Sequence, residues 1–223
     1  MPTTVTFSSL ITDLQNYLER GGSATTDPTV YNQLPRLINA AERKLAQDLK
    51  ILGMLEVLVD APAGLSTGVA VVAKPDRWRG TVSMNYGAGA TNNARTPLFP
   101  RSYEYCRGYW PDQTQTDSNN PPAFYADYDY SHWLIVPTPD QNYPLEVLAY
   151  LQPQLLDATT QSNFWTEYAP NALLYGALVE ATPFLKDDPR LQTWIAMWQQ
   201  ELSALDGQDL QRIMDRAAQR RKL

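Results

Sequence analysis

The chain begins with two segments whose apolar residues recur at helical spacing. The first segment covers residues 7–20, and a pair of glycines ends it. The second covers about 29–50, where Asp27 can cap the helix and Pro28 suits its first position. Pro35 lies inside the second pattern, so we expect a kink or a restart there. The apolar stripes are Phe7, Leu10, Ile11, Leu14, Tyr17 and Leu18, and then Leu34, Leu37, Ile38, Ala41, Leu45 and Leu49.

The middle of the chain, residues 51–158, has an apolar period of two or short apolar runs, which is typical of β-structure. The candidate elements are strands at 55–60, 69–73, 82–86, 122–128, 132–136 and 145–151, a short helix at 101–109 and a polar loop at 111–121. The polar turn at 129–131 predicts a hairpin between its two flanking strands. The run 145–151 is apolar on both faces except at Glu146, so we expect both its faces to be buried, by a sandwich core or a neighbouring subunit.

Helical spacing returns at about residue 166. Thr166 can cap this helix, a face of small residues lets another helix approach it closely, and Pro183 ends it. The dipeptide Asp188-Pro189 opens a further helix, and Gly207 predicts a break before a weaker last helix. One stripe of the helix after Pro189 holds Trp194, Ile195, Trp198, Leu202 and Leu205, which favours a place in the core over a ligand platform.

The order of helices, β-structure and helices predicts an α+β fold. We expect a helical bundle built from the N- and C-terminal helices, residues 1–50 and 159–206, with an inserted antiparallel β domain at 51–158. Residues 207–223 would form a C-terminal basic helical extension.

Charge separates the end of the chain from its body. The 223 residues include 24 acidic and 18 basic ones, a net charge of −6 that argues against a general nucleic-acid binder. The last 17 residues carry +3, so the first 206 carry −9. The basic residues of this end are Arg212, Arg216, Arg220, Arg221 and Lys222.

The scarcity of cysteine and histidine excludes two kinds of site. One cysteine, Cys106, cannot form an internal disulfide, and with one histidine the chain cannot build a Cys/His zinc site. We also expect no transmembrane helix and no secretory signal, and therefore a protein that stays inside the cell that made it.

Three patterns could carry chemistry, and each has a simpler structural explanation. They are Gly87-Ala88-Gly89-Ala90 as a phosphate loop, Cys106 with His132 as a nucleophile pair, and Asp127 with Asp129 or Asp187 with Asp188 as a glycosidase acid and base. The first lacks the remaining residues of either nucleotide motif. A packed cysteine and a surface histidine are the commoner arrangement, and aspartates at turns are usually caps and turn formers. We therefore expect no enzyme and no cofactor.

Five segments, taken in order, suggest a family. They are residues 34–49, Lys74-Pro75-Asp76-Arg77-Trp78, Trp133-Leu134-Ile135-Val136-Pro137-Thr138-Pro139, the strand around Tyr150, and residues 168–181. In that order they resemble the head-to-tail adaptor (connector) proteins of short-tailed phages, which include the upper tail-tubular proteins. The resemblance spans residues 7–206, and its specificity lies in the ordered set.

The resemblance implies a structural virion protein of the phage neck, made in the host cytoplasm. It implies a homo-dodecamer, a ring that joins the portal to the tail nozzle and lets genomic DNA pass without specific binding. The helical domain would surround the channel, the β domain would face outward, and residues 207–223 would reach the portal. The portal-docking residues would then be Arg212, Arg216, Arg220, Arg221 and Lys222, with no catalytic residue, cofactor or membrane involved. For this basic end, a solvated, frayed helix end and a transient contact with DNA are the alternatives to docking on the portal.

Two properties of the residues agree with this interpretation. An acidic inner wall would repel DNA and let it slide. The tyrosines and tryptophans of the β region suit contact surfaces, where aromatic residues are enriched. The alternative is a host-glycan-binding module of a tail fibre or baseplate, with exposed aromatics around a shallow groove. An adaptor should instead place its aromatics and its 111–121 loop at subunit contacts.

Overall fold

The computed structural model describes residues 5–49, 54–60, 63–87, 94–117, 120–184 and 189–220. The chain divides into two compact units, the helical unit (Met1–Met54 with Pro153–Leu223) and the β unit (Leu55–Gln152). The elements are α1 Phe7–Leu18, α2 Pro28–Tyr31, α3 Leu34–Asp48, β1 Leu55–Val59, β2 Val71–Ala73, β3 Trp78–Gly87, β4 Arg95–Pro100, α4 Tyr103–Tyr109, β5 Phe124–Asp127, β6 His132–Val136, β7 Leu145–Leu151, α5 Phe164–Tyr168, α6 Pro170–Glu180 and α7 Leu191–Arg220. The fold is α+β, as the sequence predicts. No helix in the described part is long and apolar enough to cross a membrane.

The starts of the first helices follow the capping signals in the sequence. The Asp27 carboxylate accepts a hydrogen bond from the backbone N–H of Val30, and Pro28 opens α2. The chain then restarts as α3, with Pro35 in its first turn, so the expected restart is confirmed.

The predicted start of the helix after the β-structure is wrong by three residues. Asn163, not Thr166, caps α5: its carboxamide oxygen accepts from the N–H of Trp165 at 3.0 Å. The Thr166 hydroxyl accepts from the N–H of Asn163 at 2.9 Å, which completes a capping box. Asparagine is among the most favoured N-cap residues, so this end is satisfied before Thr166 is reached.

The predicted break at Gly207 is also wrong, because α7 is one continuous helix of 30 residues. Its length is about 45 Å. An exposed glycine inside a helix costs only about 1 kcal/mol relative to alanine, and the neighbouring helical turns offset this cost in free energy.

The core of the helical unit forms around α6, which packs against α1, α3, α5 and α7. Its face of small residues is buried, as predicted, and so are Trp194 and Trp198 of α7. Gly176 marks the closest approach: a Cβ placed there would lie 3.2 Å from the Cβ of Ala41 and 3.2 Å from Nε1 of Trp198. The small residues therefore let α3 and α7 pack directly onto α6.

One buried carboxylate joins the two sequence-distant parts of the helical unit. Glu42 on α3 is 1% exposed. It accepts hydrogen bonds from the backbone N–H of Leu156, at 3.1 Å, and from the Asn163 carboxamide. The same Asn163 nitrogen donates to the carbonyl of Gln154 at 2.8 Å. Burial raises the pKa of Glu42 to about 7, although both hydrogen bonds act to lower it.

The β unit is a single seven-stranded sheet in the order β1-β7-β3-β4-β5-β6-β2. All neighbouring pairs are antiparallel except β4 and β5, which run parallel, so the predicted antiparallel domain contains one parallel pair. The predicted hairpin is confirmed as β5 and β6. Strand β7 is fully buried on one face, which includes Val147 and Ala149, and half-buried on the other face. The expectation that both faces are buried is therefore met for one face only.

The sequence pattern misses β4. Two prolines, Pro97 and Pro100, argue against a strand because each lacks a backbone donor. The structure tolerates Pro97 because the pairings of β4 are offset along its length: residues 95–98 pair with β3, and Phe99 and Pro100 pair with β5. Pro97 therefore needs a partner on one side only.

Gly176 and Gly207 allow a matched test of close packing. We expect Gly207→Ala to raise the free energy of unfolding by about 0.5–1 kcal/mol, because no atom of the described residues lies within 4 Å of the added methyl. Gly176→Ala should instead lower it by about 1 kcal/mol, because the methyl meets Ala41 and Trp198 and overpacking outweighs the gain in helix propensity. Urea unfolding measures both. Equal gains at the two positions would contradict the close packing at α6.

Glu42 should make stability depend on pH. Its folded pKa lies above the unfolded value of 4.5, so its contribution is fully present below pH 4.5 and is lost as the pH rises through 7. The loss amounts to at most about 3 kcal/mol. We expect Glu42→Gln to flatten the decline in free energy of unfolding between pH 5 and 8. The control Glu19→Gln, at an exposed position, should keep the wild-type slope, and an unchanged slope in Glu42→Gln would contradict the assignment.

A candidate protein interface on the β unit

Helix α4 is fixed to the sheet through one buried residue. Cys106 is fully buried and packs in an apolar cluster with Ala126, Leu134 and Val136. The hydroxyl of Ser102 accepts a hydrogen bond from the N–H of Tyr105 at 3.2 Å and so caps the helix. The tyrosines of α4 are left at the surface of the unit as a result. Burial raises the pKa of the Cys106 thiol, so the reactive thiolate is disfavoured. We therefore assign the residue a packing role.

Aromatic and arginine residues lie on α4 and on the strands and turn beside it, and we call this set the aromatic patch. Its members are Phe99, Arg101, Tyr103, Tyr105, Arg107, Tyr109, Trp110, Phe124 and Tyr128. Four of the rings form a closed circuit. Their centroid distances are 4.7 Å for Tyr105–Tyr109, 5.9 Å for Tyr109–Trp110, 5.8 Å for Trp110–Phe124 and 5.9 Å for Tyr105–Phe124. Tyr103 and Tyr128 make a second ring pair at 6.1 Å.

The two arginines of the patch lie over its rings. The guanidinium of Arg101 lies 5.5 Å from the Tyr105 ring and 5.3 Å from the Phe124 ring. Arg107 lies 5.5 Å from the Tyr103 ring, and its Nε donates to the Tyr103 hydroxyl at 3.1 Å. Among the described residues, no carboxylate lies within ion-pair distance of Arg101. Its charge therefore stays available at the surface.

The patch has the properties of a protein-binding surface. Tyr109 is 68% exposed, and Phe99, Tyr103, Tyr105 and Tyr128 are also exposed. Tyrosine, tryptophan and arginine are the residues most enriched where interfaces gain their free energy. Because the rings already contact one another, they lose little conformational freedom when a partner covers them.

The hairpin beside the patch is held by a buried lysine. Nζ of Lys74 lies 2.8 Å from the Asp127 carboxylate and donates to the carbonyl of Asp129 at 2.9 Å. The same ammonium lies 3.9 Å from the Trp78 ring. These contacts fix the turn between β5 and β6, whose Tyr130 is 87% exposed. The hairpin therefore presents its aromatic tip on a fixed base.

The predicted polar loop 111–121 borders the same patch. Residues 118 and 119 lie outside the described part. The rest of the loop is tied to the segment after β6, where the Thr138 hydroxyl donates to the carbonyl of Gln113 at 2.9 Å. Loop and patch share a cavity of about 150 Å³, lined by Tyr109, Trp110, Pro111, Asp112, Gln115, Asp117, Asn120 and Pro137. The aromatics and the loop thus lie side by side around this cavity, and their expected place at subunit contacts stays a prediction.

The candidate catalytic pairs have structural partners. The His132 ring contacts Asp129 at 2.9 Å and Ser131 at 3.1 Å, and Cys106 is not among its hydrogen-bond partners. Asp127 pairs with Lys74, and Asp129 also accepts from the N–H of Ser131 at 2.7 Å, as a turn residue does.

The remaining candidates fall in strands or outside the described residues. Gly87 ends β3, where it pairs with Arg95, whereas Ala88, Gly89, Ala90, Asp187 and Asp188 lie outside the described residues. No group of three or more His, Cys, Asp or Glu side chains in the described part is placed to hold a metal ion.

The predicted portal-docking residues lie at the end of α7 or beyond it. Arg212, Arg216 and Arg220 occupy positions four residues apart on this helix and so share one side of it. Arg221 and Lys222 lie outside the described residues. Their role stays a prediction.

Sequence reasoning identified the aromatic stretch of α4 but not the other members of the patch. Phe99 belongs to the missed strand β4, and Phe124 and Tyr128 come from the hairpin. The pairing of β4 with β5 brings these residues together. A sequence signal for that pairing is absent, because the prolines of β4 hide the strand.

The family model described as SU10 adaptor protein matches residues 5–221. No curated protein matches the chain.

Proposed function

Because the chain belongs to the SU10 adaptor protein family, a family of structural phage proteins, we propose that it joins the portal to the tail nozzle of a phage particle. The match carries this proposal because it runs from residue 5 to residue 221 and so includes both units. The proposal includes three finer features. They are a homo-dodecameric ring, a place in the neck of a short-tailed particle and a channel through which genomic DNA passes.

The physical properties of the chain support the proposal. The net charge of −6 suits a channel wall that repels DNA and lets it slide. The candidate catalytic pairs are accounted for by structural contacts within the described residues. The helical elements of both chain ends would act as one bundle around the channel, and the β unit would supply contact surfaces.

The end of α7 suits contact with another protein. Among the described side chains of α7, the last apolar core contacts come from Leu202 and Leu205; Asp209 is buried, whereas Leu210 and Met214, four residues apart, are exposed. The three arginine positions recur at the same spacing on the same segment. An amphipathic helix with one basic side fits a groove with acidic borders, which we propose lies on the portal.

Deletion of residues 207–223 should abolish attachment to the portal while the body stays folded. The body should stay folded because Trp194, Leu202 and Leu205, the described apolar core contacts of α7, all remain in the truncated chain. Circular dichroism checks the fold, and co-sedimentation with purified portal checks attachment. The triple variant Arg212→Gln, Arg216→Gln and Arg220→Gln keeps the helix and should weaken attachment in a salt-dependent way. Normal attachment of the truncated, folded chain would reject the docking role of this segment.

Cryo-electron microscopy of the particle tests the proposed function directly. We expect a ring of this chain between portal and nozzle when the neck is sorted by rotational symmetry. Density for the chain at a fibre or baseplate, outside the channel, would overturn the adaptor role.

A host-glycan-binding module is the second candidate function. The exposed rings of Tyr109 and Tyr130 favour it, because sugars stack on exposed aromatic faces. This module would bind glycans as a monomer, whereas an adaptor would bury the aromatic patch in the assembly. A glycan array with the purified chain separates the two functions.

A further inference from the structure

Both ends of the seven-stranded sheet are open. Strand β1 lies beside β7 and strand β2 lies beside β6, and among the described strands neither has a second neighbour. The outer side of an edge strand presents unpaired backbone N–H and C=O groups, which pair readily with a strand of another chain. The partner that such an edge accepts is therefore an extended strand.

The pairing of β1 with β7 shows which residues carry the open backbone groups. The N–H of Asp60 donates to the carbonyl of Leu145 at 2.8 Å. Hydrogen-bonded and non-bonded residues alternate along an antiparallel pair, so the backbone groups of Val57 and Val59 point to the open edge. These valines are 62% and 53% exposed. Strand β1 also contains no proline, lysine or bulge, the features that usually protect an edge.

The same alternation identifies the open residues of β2. The N–H of Ile135 on β6 donates to the carbonyl of Ala70 at 2.7 Å. The backbone groups of Val71 and Ala73, one and three positions further along, therefore point away from β6. Strand β2 thus offers two open residues at the same spacing as the two exposed valines of β1.

The open residues of both edges have their side chains on the same face of the sheet. Leu58 of β1 and Val72 of β2 pack against the same apolar cluster, on one face. Since side chains alternate along a strand, the open residues of both strands belong to the other face. Val71 indeed packs against the separate cluster that contains Cys106 of α4. Paired residues of neighbouring strands need side chains on one face, and the two edges meet this condition.

The strand directions of the two edges also match. From β1 to β2 the sheet contains five antiparallel pairs and one parallel pair, so these two strands run in opposite directions. If the sheet of one copy continues into that of the next, β1 and β2 meet antiparallel. A contact between two different edges leaves one edge of each copy open for the next one, and such a contact can close a ring.

We propose that β1 of one copy pairs with β2 of the next copy as antiparallel strands, with Val57 opposite Ala73 and Val59 opposite Val71. The proposal rests on the proposed function, since it requires the adaptor ring. This register forms about four backbone hydrogen bonds, two for each pair of residues. It also covers both exposed valines of β1 with apolar side chains of β2, which removes apolar surface from water.

Disulfide formation in assembled particles tests this register. The Cα atoms of a hydrogen-bonded antiparallel pair lie about 5.5 Å apart, which a disulfide can span. We expect Val57→Cys with Ala73→Cys to give a series of covalent oligomers on a non-reducing denaturing gel after mild oxidation. Each single variant should stay monomeric, because Cys106 is fully buried. The control Val57→Cys with Val69→Cys, an exposed position four residues before Ala73, should also stay monomeric.

The outcomes separate this strand pairing from the proposed function. Particles that hold the double variant at the neck but give no covalent oligomers would overturn the pairing and leave the adaptor role standing. Dimers from Val57→Cys alone would show that β1 meets itself and would also overturn the pairing. Absence of the wild-type chain from the neck would overturn the proposed function together with the pairing that rests on it.

A proline substitution gives a second measurement that does not depend on cross-linking. Val57→Pro should leave the chain folded by circular dichroism, because the N–H of this residue points away from β7 and an edge strand tolerates proline. We expect incorporation into particles to fall by about tenfold or more, since each contact loses a backbone donor. The control Val57→Thr keeps the donor and the branched side chain and should be incorporated like wild type. Normal incorporation of the folded proline variant would overturn the pairing.

Discussion

The helical unit depends on the contact between α3 and the segment that returns from the β unit. Glu42 makes this contact specific, because it holds Leu156 and Asn163, partners 114 and 121 positions away in the sequence. A carboxylate in this place is unfavourable on its own, since burial raises its pKa, and the two hydrogen bonds offset part of that cost. The position of α5, and through it α6, follows from this junction, because the same Asn163 caps α5.

Once α6 is in place, its small residues decide how closely the other helices approach. Gly176 brings Ala41 of α3 and Trp198 of α7 to the same point. Lys44 reinforces that meeting, since its ammonium lies 4.6 Å from the Trp198 ring and 3.1 Å from the Glu180 carboxylate. Helix α7 is therefore anchored by its first half, whereas Leu210 and Met214 in its second half are exposed.

The sequence predicts those elements whose signals are local. Helical periodicity and the Asp27 cap placed α1 to α3 correctly, and alternation placed most strands. Prediction from the sequence fails where a non-local contact overrides a local signal. Pro97 hides β4 because only the offset pairing with β3 and β5 makes a proline acceptable there. Gly207 suggested a break because the modest cost of one glycine cannot be weighed without the surrounding helix. The aromatic patch was foreseen as a composition but not as a surface, since its assembly requires the missed strand.

The division of the chain into two units assigns different physical tasks to them. The described apolar core contacts of α7 end at Leu205, and Leu210 and Met214 are exposed, so fewer described contacts fix this end of the helix than fix its first half. The aromatic patch is the opposite case, because stacked rings and the Lys74-anchored hairpin fix its shape before any partner arrives. A rigid surface suits a contact that must repeat with the same geometry around a ring, since a small error in angle accumulates from copy to copy and prevents closure. The proposed adaptor would need both kinds of contact, one that repeats identically and one that accommodates a different protein, and the two units carry one candidate surface for each.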